Sequence, residues 1–254
     1  MSEQGLLEGV PRNGQRMQVN PIRHIMRFDP LRFGQTRVDV VGCGSVGARI
    51  AEELGKLGVR NLHLWDFDTV SEENIANQPF DLADISRDER EVLKLDAIAA
   101  RIERGSGLVP TLHKVRIDTP VSFGKVVFLA LDTMAARKQI FEQSLRLKLT
   151  TDLVIETRMG VEEFRIYGFN PRPRREVVAW ESTLYSDENT VENACRAKET
   201  VGATAMMTAG LAVTRFLQWY QWDFVRAPKH QAPYFEQIVM LRPLTVLTRG
   251  LDDE

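Results

Sequence analysis

The chain has 254 residues, 43% of them hydrophobic and 27% charged, with a formal net charge of −2. That length allows one large α/β domain or two small ones, and the near-neutral balance supplies no basic field for nucleic acid. No apolar run approaches the roughly 18 residues a membrane span needs.

Residues 1–20 are polar, contain Gly, Pro and Asn, and lack the apolar core of a signal peptide; a flexible arm is expected. Residues 21–35, PIRHIMRFDPLRFGQ, carry Ile22, Ile25, Met26, Phe28, Leu31 and Phe33 and are predicted to dock on something. Val38–Val41 reads as a short buried strand. After a glycine-rich turn, Val46, Ile50, Leu54 and Leu57 recur at helical spacing, and Gly58 stops that helix. Leu62–Trp65 reads as a second strand, completing one βαβ unit of about 30 residues.

Helices are predicted next at Leu93–Ile102 and Met134–Leu147, and strands at Thr111–Ile117, Val126–Leu131 and Asp152–Glu156. This alternation predicts an α/β fold with a doubly wound, Rossmann-like, mainly parallel sheet. The second half differs. Glu163–Phe169 alternates like an antiparallel strand, Pro171–Arg175 reads as a turn, and Val177–Trp180 as a short strand. Residues 181–195 read as a loop, Thr200–Tyr220 as a small-residue-rich helix, and Phe235–Leu241 and Thr245–Leu247 as closing strands. A C-terminal antiparallel extension is therefore expected. Residues 21–254 are expected to form one domain, with nucleotide binding in 36–156 and substrate or dimer contacts in 157–254.

The turn Gly42-Cys43-Gly44-Ser45-Val46-Gly47 has the spacing of a phosphate cradle. The first glycine allows the tight turn, the second lets backbone N–H groups approach a phosphate, and the third lets helix and strand pack closely. Asp66, at the end of the second strand, can accept hydrogen bonds from ribose hydroxyls. Taken alone, these residues do not separate NAD from ATP. The loop beyond them, Asp66-Phe-Asp68-Thr-Val-Ser-Glu-Glu-Asn74-Ile-Ala-Asn77-Gln78, crowds acids and amides at the ligand-binding edge. Lys94 opens a helix and can neutralise a phosphate. Asp132 ends a strand at the same edge and can hold Mg²⁺.

Together these stretches resemble the ThiF/MoeB/HesA family and the adenylation domains of ubiquitin-activating enzymes. The matching pieces are the Gly42–Gly47 turn, Asp66-Phe-Asp68, Asn74 to Gln78, Lys94, and Asp132 with Arg137. The resemblance implies an ATP- and Mg²⁺-dependent adenylyltransferase that activates the C-terminal carboxylate of a ubiquitin-like protein or peptide and releases pyrophosphate. It implies that Gly42, Gly44, Ser45, Gly47, Asp66 and Asp68 bind the nucleotide, that Asn74, Gln78 and Lys94 contact phosphates, and that Asp132 binds the metal. It also implies a homodimer in which an N-terminal arginine serves the partner's site; Arg23 fits that place, with Arg27 and Arg32 as other candidates. In several relatives a cysteine near the position of Cys195 forms a covalent link with the activated protein. Arg196, Lys198 and a following helix would lower its pKa, the alternative being a small packed residue or the remnant of a zinc site.

The sequence departs from the family pattern in three places. The arginine of Asn-x-x-Arg-Gln is Asn77, the second glycine of the common Gly-Gly pair is Ser45, and the paired Cys-x-x-Cys zinc motifs are absent. Asn77 favours a catalytically silent scaffold or dimer partner as the alternative of another class. An NAD-dependent oxidoreductase is the second enzymatic alternative, disfavoured by Lys94 and Asp132 in their settings. With only two cysteines, Cys43 and Cys195, a disulfide framework is excluded and a reducing cytoplasm is the expected location. Cys43, Met206-Met207, Trp219 and Trp222 are expected to pack in the core, Trp180 and Tyr185 in the core or a tail-binding groove, and the four histidines to be bland.

Overall fold

The computed structural model describes residues 19–85, 91–187, 201–226 and 232–251. The strands are β1 (Arg37–Val41), β2 (Asn61–Trp65), β3 (Thr111–His113), β4 (Val126–Leu129), β5 (Leu153–Met159), β6 (Glu163–Phe169), β7 (Glu236–Leu241) and β8 (Leu244–Arg249). They form one sheet in the order β3-β2-β1-β4-β5-β6-β7-β8. The first five are parallel, and β6, β7 and β8 continue it antiparallel. The helices are α1 (Pro30–Phe33), α2 (Gly47–Leu57), α3 (Glu72–Ile75), α4 (Lys94–Ser106), α5 (Met134–Ile140), α6 (Arg174–Glu181) and α7 (Gly202–Trp219). The doubly wound sheet with an antiparallel C-terminal extension is as the sequence predicts.

Strand alternation sorts side chains into two cores. Val38, Val40, Val126, Phe128 and Ile155 face a core built with α2, α4 and α7. Val41, Val127, Leu129 and Val154 face the other, filled by Ile140, Phe141, Val177 and Trp180. Strands buried on both faces read as continuous apolar runs, which is why β1 and β4 were legible.

The segment before β1 docks on its own chain. Asp29 accepts hydrogen bonds from Leu31 N (2.9 Å) and Arg32 N (3.3 Å), and Pro30 opens α1. Phe28 and Phe33, both buried, then pack on Phe216, Tyr220 and Phe224, with ring centroids 4.8–5.9 Å apart. Those two rings are therefore not used across a dimer interface, while Ile22 and Met26 remain exposed.

Three expectations are corrected. Val177–Trp180 is not a strand but lies in α6, where Val177 and Trp180, three residues apart, share the buried face and Val178 is exposed. The strand expected at Thr111–Ile117 ends at His113. Met206, Met207 and Trp222 are exposed, at 63%, 42% and 38%, rather than packed in the core. Trp219 is buried as expected, and Trp180 is buried against Phe169 while it also lines, with Tyr185, a second cavity.

Phe28→Ala removes a fully buried ring and is expected to cost about 3–5 kcal/mol in denaturant unfolding. A loss under about 1 kcal/mol would show that this segment lies outside the cooperative core.

Candidate nucleotide site

The strand order reverses at β1, which pairs with β2 on one side and β4 on the other. Ligands of open α/β sheets bind beyond the carboxyl ends of the strands at such a point. A cavity of about 560 Å³ lies there. Gly42, Gly44 and Ser45 line it, with Asp66, Asp68, Gln78, Lys94, Asp132 and Arg137.

The glycines divide their work as their spacing predicts. Gly42 has φ +86°, and a Cβ on it would sit 2.5 Å from the Ala130 carbonyl oxygen. A Cβ on Gly47 would collide with the Gly42 carbonyl. A Cβ on Gly44 would meet nothing within 4 Å, so its backbone faces open space in the cavity. Cys43 is fully buried within the turn, and burial pushes its thiol well up, which fits packing rather than reactivity.

Asp66 holds this turn in place. One carboxylate oxygen accepts from Cys43 N at 2.6 Å and the other from Asp68 N at 2.8 Å. Lys94 opens α4 and is brought to the cavity from another direction. Its backbone N–H donates to the Asp68 carbonyl (2.9 Å), and its Nζ lies 2.9 Å from Asp68 Oδ2. The ammonium is buried in the cavity wall with a single carboxylate partner among the described residues. Asp132, beyond the end of β4, is exposed and makes no ion pair or hydrogen bond among the described residues. Gln78 contributes a buried Oε1 with no hydrogen-bond partner among the described residues.

Other expected residues are not brought to the cavity. Asn74 spends its side-chain oxygen on the capping box of α3, accepting from Ser71 N at 3.1 Å, and does not line the cavity. Arg23 is exposed, and His24 beside it contacts the Leu57 carbonyl at the far end of α2 from the glycine turn. Arg23 therefore cannot serve the cavity of its own chain. Cys195 lies outside the described residues.

The sequence reading matched Arg137 to the family pattern but missed the ion network that it forms at the floor of the site. Arg137 is 1% exposed; its Nη2 donates to the Thr157 carbonyl at 2.7 Å, and its Nε lies 2.6 Å from Glu156. Glu156 is fully buried between Arg137 and Arg158 and also accepts from Trp180 Nε1 at 3.2 Å. Arg158 in turn holds Thr183 through its carbonyl and hydroxyl, both at 2.8 Å. The available signal was Glu156-Thr-Arg158, two charges inside an otherwise apolar strand. Arg116, 4.0 Å above the Phe67 ring, makes a cation–π wall on another side of the cavity. Below Trp65, His63 and His113 share a hydrogen bond of 2.9 Å, and burial first, then Arg37, lowers the pKa of each.

The residues present fit a divalent cation held with a phosphate ligand. No group of three or more metal-ligating side chains occurs among the described residues. Two carboxylates at the cavity, Asp118 and Asp132, make no ion pair or hydrogen bond among the described residues, and Asp132 beside the glycine turn suits Mg²⁺, which takes one or two carboxylates and fills its shell with phosphates and water. The amino end of α5, next to Asp132, offers no alternative anion site, because Asp187 accepts from Met134 N and Ala135 N at 2.8 and 3.0 Å.

The ThiF family profile matches residues 18–242. The chain belongs to the ThiF family. Among curated relatives, the NEDD8-activating enzyme E1 catalytic subunit of Arabidopsis thaliana is 32% identical over 109 residues, covering 41% of this ThiF-family chain and 23% of the relative. Among solved structures, E. coli MccB with ATP superposes with a TM-score of 0.60 at 11% identity, covering 87% of this chain and 65% of that one. PaaA superposes with a TM-score of 0.61 at 16% identity, covering 87% and 75%. The chain thus spans under a quarter of the curated relative and about two thirds of MccB, and the structural likenesses speak for the fold.

Burial raises the pKa of Glu156, but Arg158, then Arg137 and the hydrogen bonds outweigh it and hold the carboxyl below its ordinary value. A depressed folded-state pKa gives stability that is full above the unfolded value and lost as pH falls through the folded one. Unfolding free energy should therefore drop as pH falls below the ordinary glutamate range. Glu156→Gln should cost about 3–5 kcal/mol at neutral pH and remove that part of the acid dependence, as read by denaturant melts across pH.

Proposed function

We propose that this ThiF-family chain is an ATP- and Mg²⁺-dependent adenylyltransferase acting on the C-terminal carboxylate of a ubiquitin-like protein or peptide. The observation that carries this reading is the juxtaposition, at one switch-point cavity, of an open Gly44 turn, a buried Lys94 ammonium and an uncommitted Asp132. A hydride-transfer site would share the glycine turn but would need neither the Lys94 ammonium nor Asp132. MccB, which shares the fold, has been solved with ATP and with N-formylated MccA.

The chemistry needs little from acid–base groups, because the attacking carboxylate is already ionised. Its oxygen forms a bond to the α-phosphorus, and the bond from that phosphorus to the bridging oxygen breaks, releasing pyrophosphate. Negative charge develops on the phosphate oxygens, and fixed cations stabilise it. In this reading the Gly42–Gly47 turn cradles phosphate, Asp66 positions the ribose, and Lys94 transfers from Asp68 to the phosphates. Asp132 holds Mg²⁺, which supplies Lewis-acid charge stabilisation when bound. Asp68 acts as the resting partner of Lys94. Cys195, if it accepts the activated carboxyl, would do so after this step.

Titration calorimetry with MgATP and with NAD tests the assignment. Wild type should bind MgATP and not NAD, and Lys94→Ala and Asp132→Ala should each weaken MgATP binding by about tenfold or more. NAD binding would favour an oxidoreductase. MgATP binding without pyrophosphate exchange in the presence of a cognate tail would favour the silent scaffold suggested by Asn77.

We further propose that the chain works as a homodimer paired through α7. The exposed positions Ala203, Met206, Met207, Gly210 and Thr214 carry no charge, and a Cβ on Gly210 would meet open space. Gln221 binds the carbonyls of Met26 and Arg27, so exposed Met26 extends the same apolar patch. A second copy is the occupant that would also bring Arg23 to a cavity. Sedimentation equilibrium should give a dimer for wild type and a monomer for Met206→Arg with Gly210→Arg; a monomeric wild type overturns the pairing.

A further inference from the structure

We infer that Arg49 is a positioning residue for the phosphate end of the cavity. It clamps the glycine turn to the loop at 74–78 and keeps an unpaired guanidinium beside the amino end of α2. This rests on the adenylation reading and adds to it a residue that no sequence motif marks.

Arg49 is the third residue of α2, where a helix favours an acidic side chain because its amino end carries partial positive charge. The first turn of α2 contains no acid at all. The Arg49 side chain runs back along the helix. Its Nη1 donates to the Ser45 carbonyl at 2.5 Å and to the Asn77 carbonyl at 2.8 Å. Ser45 belongs to the phosphate turn, and Asn77 immediately precedes Gln78; Ser45 and Gln78 both line the cavity. One guanidinium therefore sets the distance between the two loops that would hold the phosphates.

The charge has no contacting acid: among the described residues, no carboxylate forms an ion pair with Arg49, and its Nε and Nη2 make no hydrogen bond. Burial lowers its pKa, Arg101 acts in the same sense, and only Glu52 opposes them. A Cβ on Gly202, the first residue of α7, would lie 3.5 Å from Nη2. The amino ends of α2 and α7 thus converge on the same guanidinium. Arg49 stands behind Ser45 and Gln78 rather than in the cavity lining, and two positive helix ends with a half-buried cation that only the more distant Glu52 offsets favour an anion at this end of the cavity. Asn77 brings no charge to this place, so Arg49 provides the cation from the helix side.

Calorimetry on the full chain, with MgATP and adenosine as paired probes, tests the inference. Arg49→Ala should weaken MgATP binding by about tenfold to a hundredfold and leave adenosine within about twofold. Arg49→Gln, which keeps amide donors for the carbonyls but loses the charge, should show the same selective loss and guards against a folding defect. Equal losses for both probes, or MgATP binding by Arg49→Gln equal to wild type, would overturn the role. Absence of MgATP binding by wild type would instead overturn the adenylation reading itself.

Discussion

The site depends on one close approach of backbone to backbone. The turn after β1 passes so near the end of β4 that the Gly42 position has no room for a side chain against the Ala130 carbonyl. Gly47 then lets α2 start directly over the Gly42 carbonyl. This contact fixes where α2 begins and which amides of the turn face outward. It also makes the Asp66 carboxylate structural as well as available for binding, since Cys43 N is tied to it at 2.6 Å. Asp132 follows two residues beyond Ala130, so the contact that shapes the turn also sets the distance from the glycine turn to the carboxylate proposed for the metal.

A second constraint lies beneath the cavity. Glu156 is buried with two arginines, and breaking such a group leaves an uncompensated charge in a low-dielectric interior. Its function in the fold is geometric. It fixes Arg137 while that guanidinium binds the Thr157 carbonyl, so the floor of the cavity is set by an ion network rather than by apolar packing. The same network reaches Thr183 through Arg158 and so anchors the end of α6 to the floor of the site.

What was legible in the sequence follows from range. The βαβ unit is local: apolar period, glycine spacing and the stop at Gly58 all act within about 30 residues, and they gave β1, α2 and β2 almost to the residue. The cavity residues from Gly42 to Gln78, with Lys94 and Asp132, were legible because their spacing resembles a family pattern. Val177–Trp180 was misread because four residues cannot distinguish a strand from a turn of helix, and only the packing of Val177 and Trp180 on one core decides it. Asn74 was placed at the phosphates by motif, yet its side chain serves the local cap of α3. The Arg137–Glu156 pair and the His63–His113 bond were hidden for the opposite reason: each joins residues from different elements, and only the Glu156-Thr-Arg158 part of the network is recorded in one stretch of chain.

The charges around the cavity bear on the metal proposed for it. Four acids line it, Asp66, Asp68, Asp118 and Asp132, against three cations, Lys94, Arg116 and Arg137, a formal balance of 3 − 4 = −1. Arg137 is moreover neutralised from behind by Glu156. A bare polyphosphate would enter against this balance. On the adenylation reading, a divalent cation carried with it would reverse the sign of the contact with Asp132 and free Lys94 from Asp68 for the phosphates. On that reading, the acids around the glycine turn would select the metal complex over the free nucleotide.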